Sequence, residues 1–168
     1  TNSEYSVITE GDCGGAGCAG VDKRVFVTSG TTRGDLTSVG GPDTRCQSQA
    51  NAASLGGTWK AIITTGSSSS SWAVNRMDYN WDRLVNMNGD VIADDPTDLW
   101  NGSIDNSINY TQYGSAITNE FRVLSGSDAY GTYNTNGTCS SWSSTGSSGR
   151  LGDPSQTSYR WMDNMTNC

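Results

Sequence analysis

The stretch Gly40-Gly41-Pro42-Asp43-Thr44-Arg45-Cys46-Gln47-Ser48-Gln49-Ala50-Asn51-Ala52-Ala53-Ser54-Leu55-Gly56-Gly57-Thr58-Trp59-Lys60-Ala61-Ile62-Ile63-Thr64 restricts the fold more than any other part of the sequence. Pro42 suits the first position of a helix, where a missing N–H is no loss, and Gly56 suits the left-handed residue just past a helix end. Between those marks Cys46, Ala50 and Ala53 recur at helical spacing. They give the helix a face of small side chains that can lie close against a neighbour. Beyond Gly56-Gly57 the period changes. Trp59, Ala61 and Ile63 alternate with Lys60 and Ile62, as on a strand with one face inward. A helix that stops on glycine and feeds a tryptophan-led strand is the expected hub, and the pattern alone gives it a structural role.

A chain of 168 residues amounts to one domain, large enough to bury a core without help from a metal. Six Trp and seven Tyr stand against two Phe, so nearly every large apolar side chain also carries a hydrogen-bonding group. That palette suits a surface touching sugars or proteins. The net charge of −7 argues against nucleic acid and anionic lipid as partners. No apolar run approaches the ~20 residues a bilayer requires, and no charged-then-apolar leader opens the chain; starting at Thr1, it is read as a mature chain or, in preference, as a piece of something longer. With no histidine, neither a Ser-His-Asp nor a Cys-His device can be built. The chain is therefore read as a non-enzyme without a cofactor. A two-carboxylate glycosidase drawn from Asp78, Asp82, Asp94, Asp95 or Asp98 is the catalytic alternative, though no spacing selects a pair.

Residues 1–22 stand apart. Tyr5, Val7 and Ile8 offer little apolar surface, and the glycine-rich run from Gly11 to Gly20 suits no helix. A local Cys13–Cys18 bridge would stiffen this segment, which is read as a linker or stalk end; the alternative is that copies of the chain associate there. Residues 23–168 are expected to form the folded head. Arg24-Val25-Phe26-Val27-Thr28 and Phe121-Arg122-Val123-Leu124 are strand candidates. Asn88-Gly89, between Arg83–Met87 and Asp90–Ala93, is a hairpin turn signal, since both residues tolerate positive φ. From Gly126 to Gly152 loops are expected to dominate.

For binding, Tyr79-Asn80-Trp81-Asp82 is the leading candidate, because aromatics interleaved with Asn and Asp have no evident helical or strand reason to be there. A sugar ring stacks its apolar face on such rings while its hydroxyls meet the polar groups. Tyr130 and Tyr133 are further candidates, with Tyr110 and Tyr113 beside them. The competing reading packs Trp81 on the core beneath the hairpin. Asp94, Asp95, Asp98 and Asn101 hold enough oxygens for calcium without EF-hand spacing, and a solvated loop is the plainer account. Arg33-Gly34-Asp35, a tripeptide some surface receptors recognise, is weak evidence for adhesion. Four Asn-x-Ser/Thr triplets, from Asn101, Asn109, Asn136 and Asn164, are expected by chance in so polar a chain.

Taken in order, Arg24–Ser29, Gly41-Pro42-Asp43-Thr44-Arg45-Cys46-Gln47, Gly56-Gly57-Thr58-Trp59-Lys60-Ala61, Asn88–Ala93, Asp98-Leu99-Trp100-Asn101-Gly102-Ser103-Ile104, Thr138-Cys139-Ser140-Ser141-Trp142 and Arg160-Trp161 form a series. Over Lys23–Cys168 it resembles a bacterial domain of unknown function found in secreted and surface lipoproteins of spirochaetes and other Gram-negative bacteria. That family is similar to the endostatin domain of collagens and so to the C-type-lectin-like fold. The resemblance implies an α+β head with a small twisted antiparallel sheet, two short helices and long disulfide-held loops. It places Trp59, Trp142 and Trp161 in the core and pairs Cys139 with Cys168. Cys46 is left without its family partner, because the family's last Leu-Tyr-Cys strand has no counterpart here. The tripeptide of calcium-dependent lectins and the zinc-binding histidines of endostatin are also missing.

The expected function is an exported, cell-surface adhesion or recognition head, at the tip of an oligomeric fibre with a trimer favoured, binding a cell-surface glycan or protein. The alternative is an assembly module with no ligand of its own.

Overall fold

The computed structural model describes residues 6–11, 22–119, 122–135 and 137–167. Their fold is α+β, built on a single eight-stranded sheet. The strands are β1 Ser6–Gly11, β2 Lys23–Val27, β3 Trp59–Ala61, β4 Leu84–Asn86, β5 Val91–Ala93, β6 Val123–Leu124, β7 Arg150–Gly152 and β8 Met165–Thr166. Their order across the sheet is β5-β4-β2-β1-β6-β7-β8, with β3 also paired to β1. The one long helix, α1 at Pro42–Ala52, is joined by single turns α2 at Ala73–Arg76 and α3 at Pro96–Leu99.

The sheet corrects two expectations. It is mixed rather than purely antiparallel, since β1 runs parallel to β6 and β2 parallel to β4. The segment expected to be a stalk also supplies β1, the central strand, which pairs with β2 on one side and with β6 and β3 on the other. Val7 and Ile8 are both fully buried, on opposite faces. A strand covered on both faces needs no apolar/polar alternation, which is why so short an apolar patch gave so little signal. Cys13 and Cys18 lie outside the described residues.

The two-residue period of the strands sorts side chains into layers on either face. Ile8, Val25, Val27, Ile62 and Val123 point into one cluster with Trp81, Trp100 and Trp161. Val7, Ala61, Ile63, Leu124 and Leu151 point into the other, with Cys46 of α1, Cys139 and Trp142. Phe26, Ala50 and Trp59 extend the α1 side.

The hub forms with one correction: α1 stops at Ala52 with Ala53 as its cap, and the left-handed residue past its end is Ser54, φ 56°, while Gly56, φ 64°, lies further along the connection to β3. Pro42 opens α1, and Cys46 and Ala50 are its buried residues. Asp43 Oδ1 accepts from Ala61 N at 2.9 Å, and Gln47 Oε1 from Trp59 N at 2.9 Å, so two polar side chains of the helix extend the hydrogen bonding of β3. Arg76 of α2 closes on Asp43 at 2.7 Å. Trp59 donates its ring N–H to Gly56 O at 2.6 Å and lies 5.0 Å from the Phe26 ring. The hairpin also holds. Gly89 has φ 93°, and Asn86 Oδ1 accepts from the N–H groups of Asn88 and Asp90.

Cys139–Trp142 is a turn of the opposite hand, with φ of 46°, 56°, 57° and 61° at four non-glycine residues. Left-handed helical backbone costs about 1–2 kcal/mol per residue, so the surroundings must impose it. They do so by tying Trp142 down at both ends of the residue. Its indole donates to Thr64 O at 2.7 Å, and its carbonyl accepts from Leu36 N at 2.8 Å.

Cys139 is disulfide-bonded, and Cys168, the partner the resemblance implies, lies outside the described residues. Cys46 is a free thiol, fully buried, taking a hydrogen bond from Thr9 Oγ1 at 2.8 Å. Burial pushes its pKa up to about 12. Because the thiolate is the reactive form, a maleimide is expected to leave Cys46 unlabelled for hours at pH 7.5 and to label it within minutes in denaturant. Peptide mapping of the two samples checks this, and rapid labelling of the folded protein would refute it.

Candidate functional site

The turn Asp128-Ala129-Tyr130-Gly131 carries Asp first and Gly fourth, the signature of a type I turn. Asp128 Oδ1 accepts from Tyr130 N at 3.0 Å and Thr132 N at 2.8 Å, while Oδ2 accepts from Thr132 Oγ1 at 2.7 Å. Gly131 has φ 74°, and a Cβ there would come 2.7 Å from the Trp100 ring. Only glycine fits both conditions, and the turn is thereby pinned against the core. Tyr130 is left 59% exposed, its ring over Gly102.

A second tyrosine completes the hollow. Tyr159 opens a short 3₁₀ turn, Tyr159–Trp161, whose last residue is buried in the core 5.6 Å from the Trp100 ring. With Trp161 anchored, Tyr159 is 53% exposed, and the Arg160 guanidinium lies 5.9 Å over its ring. Together Asn101, Ser103, Asp128, Tyr130, Tyr159 and Asp163 line a cleft of about 490 Å³. Arg150 Nη1 holds Asp163 Oδ1 at 2.8 Å. Burial lifts the Asp163 carboxyl above its ordinary pKa; Arg150 pulls it down and Asp128 pushes it up. The cleft thus offers two aromatic rings beside carboxylates and hydroxyls. Such a set can stack and hydrogen-bond a ligand.

The leading candidate is placed differently. Trp81 is only 5% exposed and belongs to the core between Met77 and Leu84, so it gives no stacking face. An indole buries 150–250 Å² when covered, and nothing in Tyr79–Asp82 opposes that gain. Its ring N–H is buried with no partner among the described residues. Tyr79, 38% exposed, accepts from Trp100 Nε1 at 2.8 Å and donates to Val74 O, which makes its hydroxyl part of the scaffold. Asn80 and Asp82 are exposed. Tyr133 lines a separate hollow of about 370 Å³ with Thr138, Ser140, Ser141, Ser147 and Ser148. Of the eight named ligand candidates, Tyr110 and Tyr113 included, Tyr130 alone lines the two-tyrosine cleft.

The acidic loop is occupied by its own backbone. Asp95 caps α3 by accepting from Thr97 N and Asp98 N, and Asp98 accepts from Asp94 N and from Asn101 Nδ2. Among the described residues no group of three or more acidic or cysteine side chains is placed to hold a metal, so the calcium suggestion for Asp94, Asp95, Asp98 and Asn101 gains no support. Asp35 of the Arg-Gly-Asp tripeptide likewise takes the N–H and hydroxyl of Thr37. Among the described residues no helix is long and apolar enough to cross a membrane.

Tyr159 and Asp163 carry no signal of their own in the sequence, because their exposure depends on Trp161 anchoring the turn between them. Asp128 could have been found from the Asp-x-x-Gly turn. No protein-family model matches the chain, and no curated protein matches it either.

Proposed function

We propose that this chain is an extracellular recognition head of the C-type-lectin-like, endostatin-like kind, exported by a bacterium, that binds a cell-surface glycan through the two-tyrosine cleft. The observation that carries the proposal is the pair Tyr130 and Tyr159, both more than half exposed on a hollow that also holds carboxylates. Exposed tyrosines held by a rigid scaffold give contact area at little entropic cost. A glycan ring can lay its apolar face on them and donate its hydroxyls to Asp128 and Asp163. The disulfide at Cys139 agrees with an oxidising compartment. A single small cleft binds weakly, so presentation as a trimeric fibre tip would raise avidity without new contacts. The reading assigns no catalysis and no cofactor to the chain.

The test is adhesion of heads clustered on a bead to target cells. Tyr130→Ala and Tyr159→Ala are each expected to cut adhesion at least about tenfold, the scale of a central aromatic contact, with the melting temperature unchanged. Adhesion of the double variant at the wild-type level would remove the cleft from the function. Loss of subunit association in place of adhesion would favour the assembly module.

A further inference from the structure

We infer that the cleft takes an uncharged sugar residue and turns away an acidic one; this rests on the glycan-binding reading above. The eight residues lining the hollow, Asn101–Ser103, Asp128–Tyr130, Tyr159 and Asp163, include two carboxylates and no lysine or arginine. Two of the neighbouring cations are held in ion pairs. Arg150 pairs with Asp163 at 2.8 Å and Arg122 with Asp153 at 3.1 Å, while Arg160 lies 5.9 Å over the Tyr159 ring and is not among the lining residues. The chain as a whole carries −7. A sugar carboxylate or sulfate entering this hollow meets like charge with no lining cation to offset it.

A neutral sugar meets complementary groups. Asp163 Oδ1 is held by Arg150, which leaves Oδ2 as the oxygen available to an incoming hydroxyl. Hydrogen bonds from a hydroxyl to a carboxylate are charge-assisted and stronger than neutral ones. Asn101 is spent within its own turn, its amide on Asp98 and its carbonyl on Ser103, so the carboxylates and the tyrosine hydroxyls carry the polar recognition. The rings above them supply the apolar contact that an uncharged pyranose needs.

The experiment uses the full chain, clustered, on an array in which neutral glycans ending in galactose, glucose, mannose or N-acetylglucosamine are each paired with the same glycan bearing a terminal sialic acid or sulfate. Binding to at least one neutral glycan is expected, with its acidic partner at least about tenfold weaker at low salt. The gap should narrow as salt is raised from 50 to 500 mM, because screening weakens the repulsion. Asp163→Asn should narrow it too. Since that change also leaves Arg150 without its ion-pair partner, the salt series on the unaltered chain gives an independent reading. Equal or tighter binding of acidic glycans through the same tyrosines would overturn the charge inference and leave glycan binding standing. An array with no signal from clustered heads would overturn both.

Discussion

Gly152→Ala is expected to abolish the stable fold. A Cβ at this position would lie 2.0 Å from the Trp161 carbonyl oxygen, 2.8 Å from its carbonyl carbon and 3.0 Å from Met162 Cα. All three are backbone atoms, so no rotamer change can relieve the clash. Gly152 is paired with Val123 on β6, and the opposing turn carries fully buried Trp161. Neither side can withdraw without opening the core. Overpacking by a methylene usually costs about 1–3 kcal/mol where side chains yield; with backbone on both sides, at least about 4 kcal/mol is expected, a large share of the 5–15 kcal/mol a domain has. Urea unfolding checks it, with Gly146→Ala as control, since its nearest atom would be 3.9 Å away. An unfolding free energy within about 0.5 kcal/mol of the unaltered chain's would show that Gly152 does not face the Trp161 backbone.

Trp59→Ala is expected to cost about 3–5 kcal/mol, the range for emptying a buried aromatic site. The ring is 1% exposed, rests 5.0 Å from Phe26, takes the Arg24 guanidinium at 5.3 Å and donates to Gly56 O in the connection between α1 and β3. It also occupies the space over Gly11, where a Cβ would come 1.9 Å from the indole. Gly11→Ala should therefore be strongly destabilising by itself and much less so in the Trp59→Ala background, where the new methyl enters the vacated volume. A double-mutant cycle should yield a coupling of at least about 1 kcal/mol in favour of the pair, as contacting residues commonly do. Additive losses would show that the ring does not lie on β1.

The hub was legible because its signals are local. Pro42, the small side chains of α1 and the alternation from Trp59 each act within a few residues; the helix stop does not fall on the glycine, since Ser54 takes the left-handed position. The Asn88-Gly89 hairpin was legible for the same reason. β1 was not, because its pairing depends on strands far along the chain and on a glycine at position 11 that makes room for Trp59. At the site, Tyr130 could be picked out as an aromatic in a polar loop. Trp81, in similar company, is buried, and Tyr159, beside a core tryptophan, is exposed. Local composition does not encode on which side of a turn an aromatic ring falls. The long-range packing of Trp100, Trp161 and Gly131 decides it.

The central position of β1 bears on how the molecule carries mechanical load. A pull arriving through the chain ahead of Ser6 enters a strand bonded on both flanks, to β2 along one edge and to β6 and β3 along the other. Such a strand cannot be peeled from a rim one bond at a time; it must slide, rupturing both rows together. A strand held this way resists extraction most strongly when the pull runs along its own axis, because the two rows of hydrogen bonds then share the load.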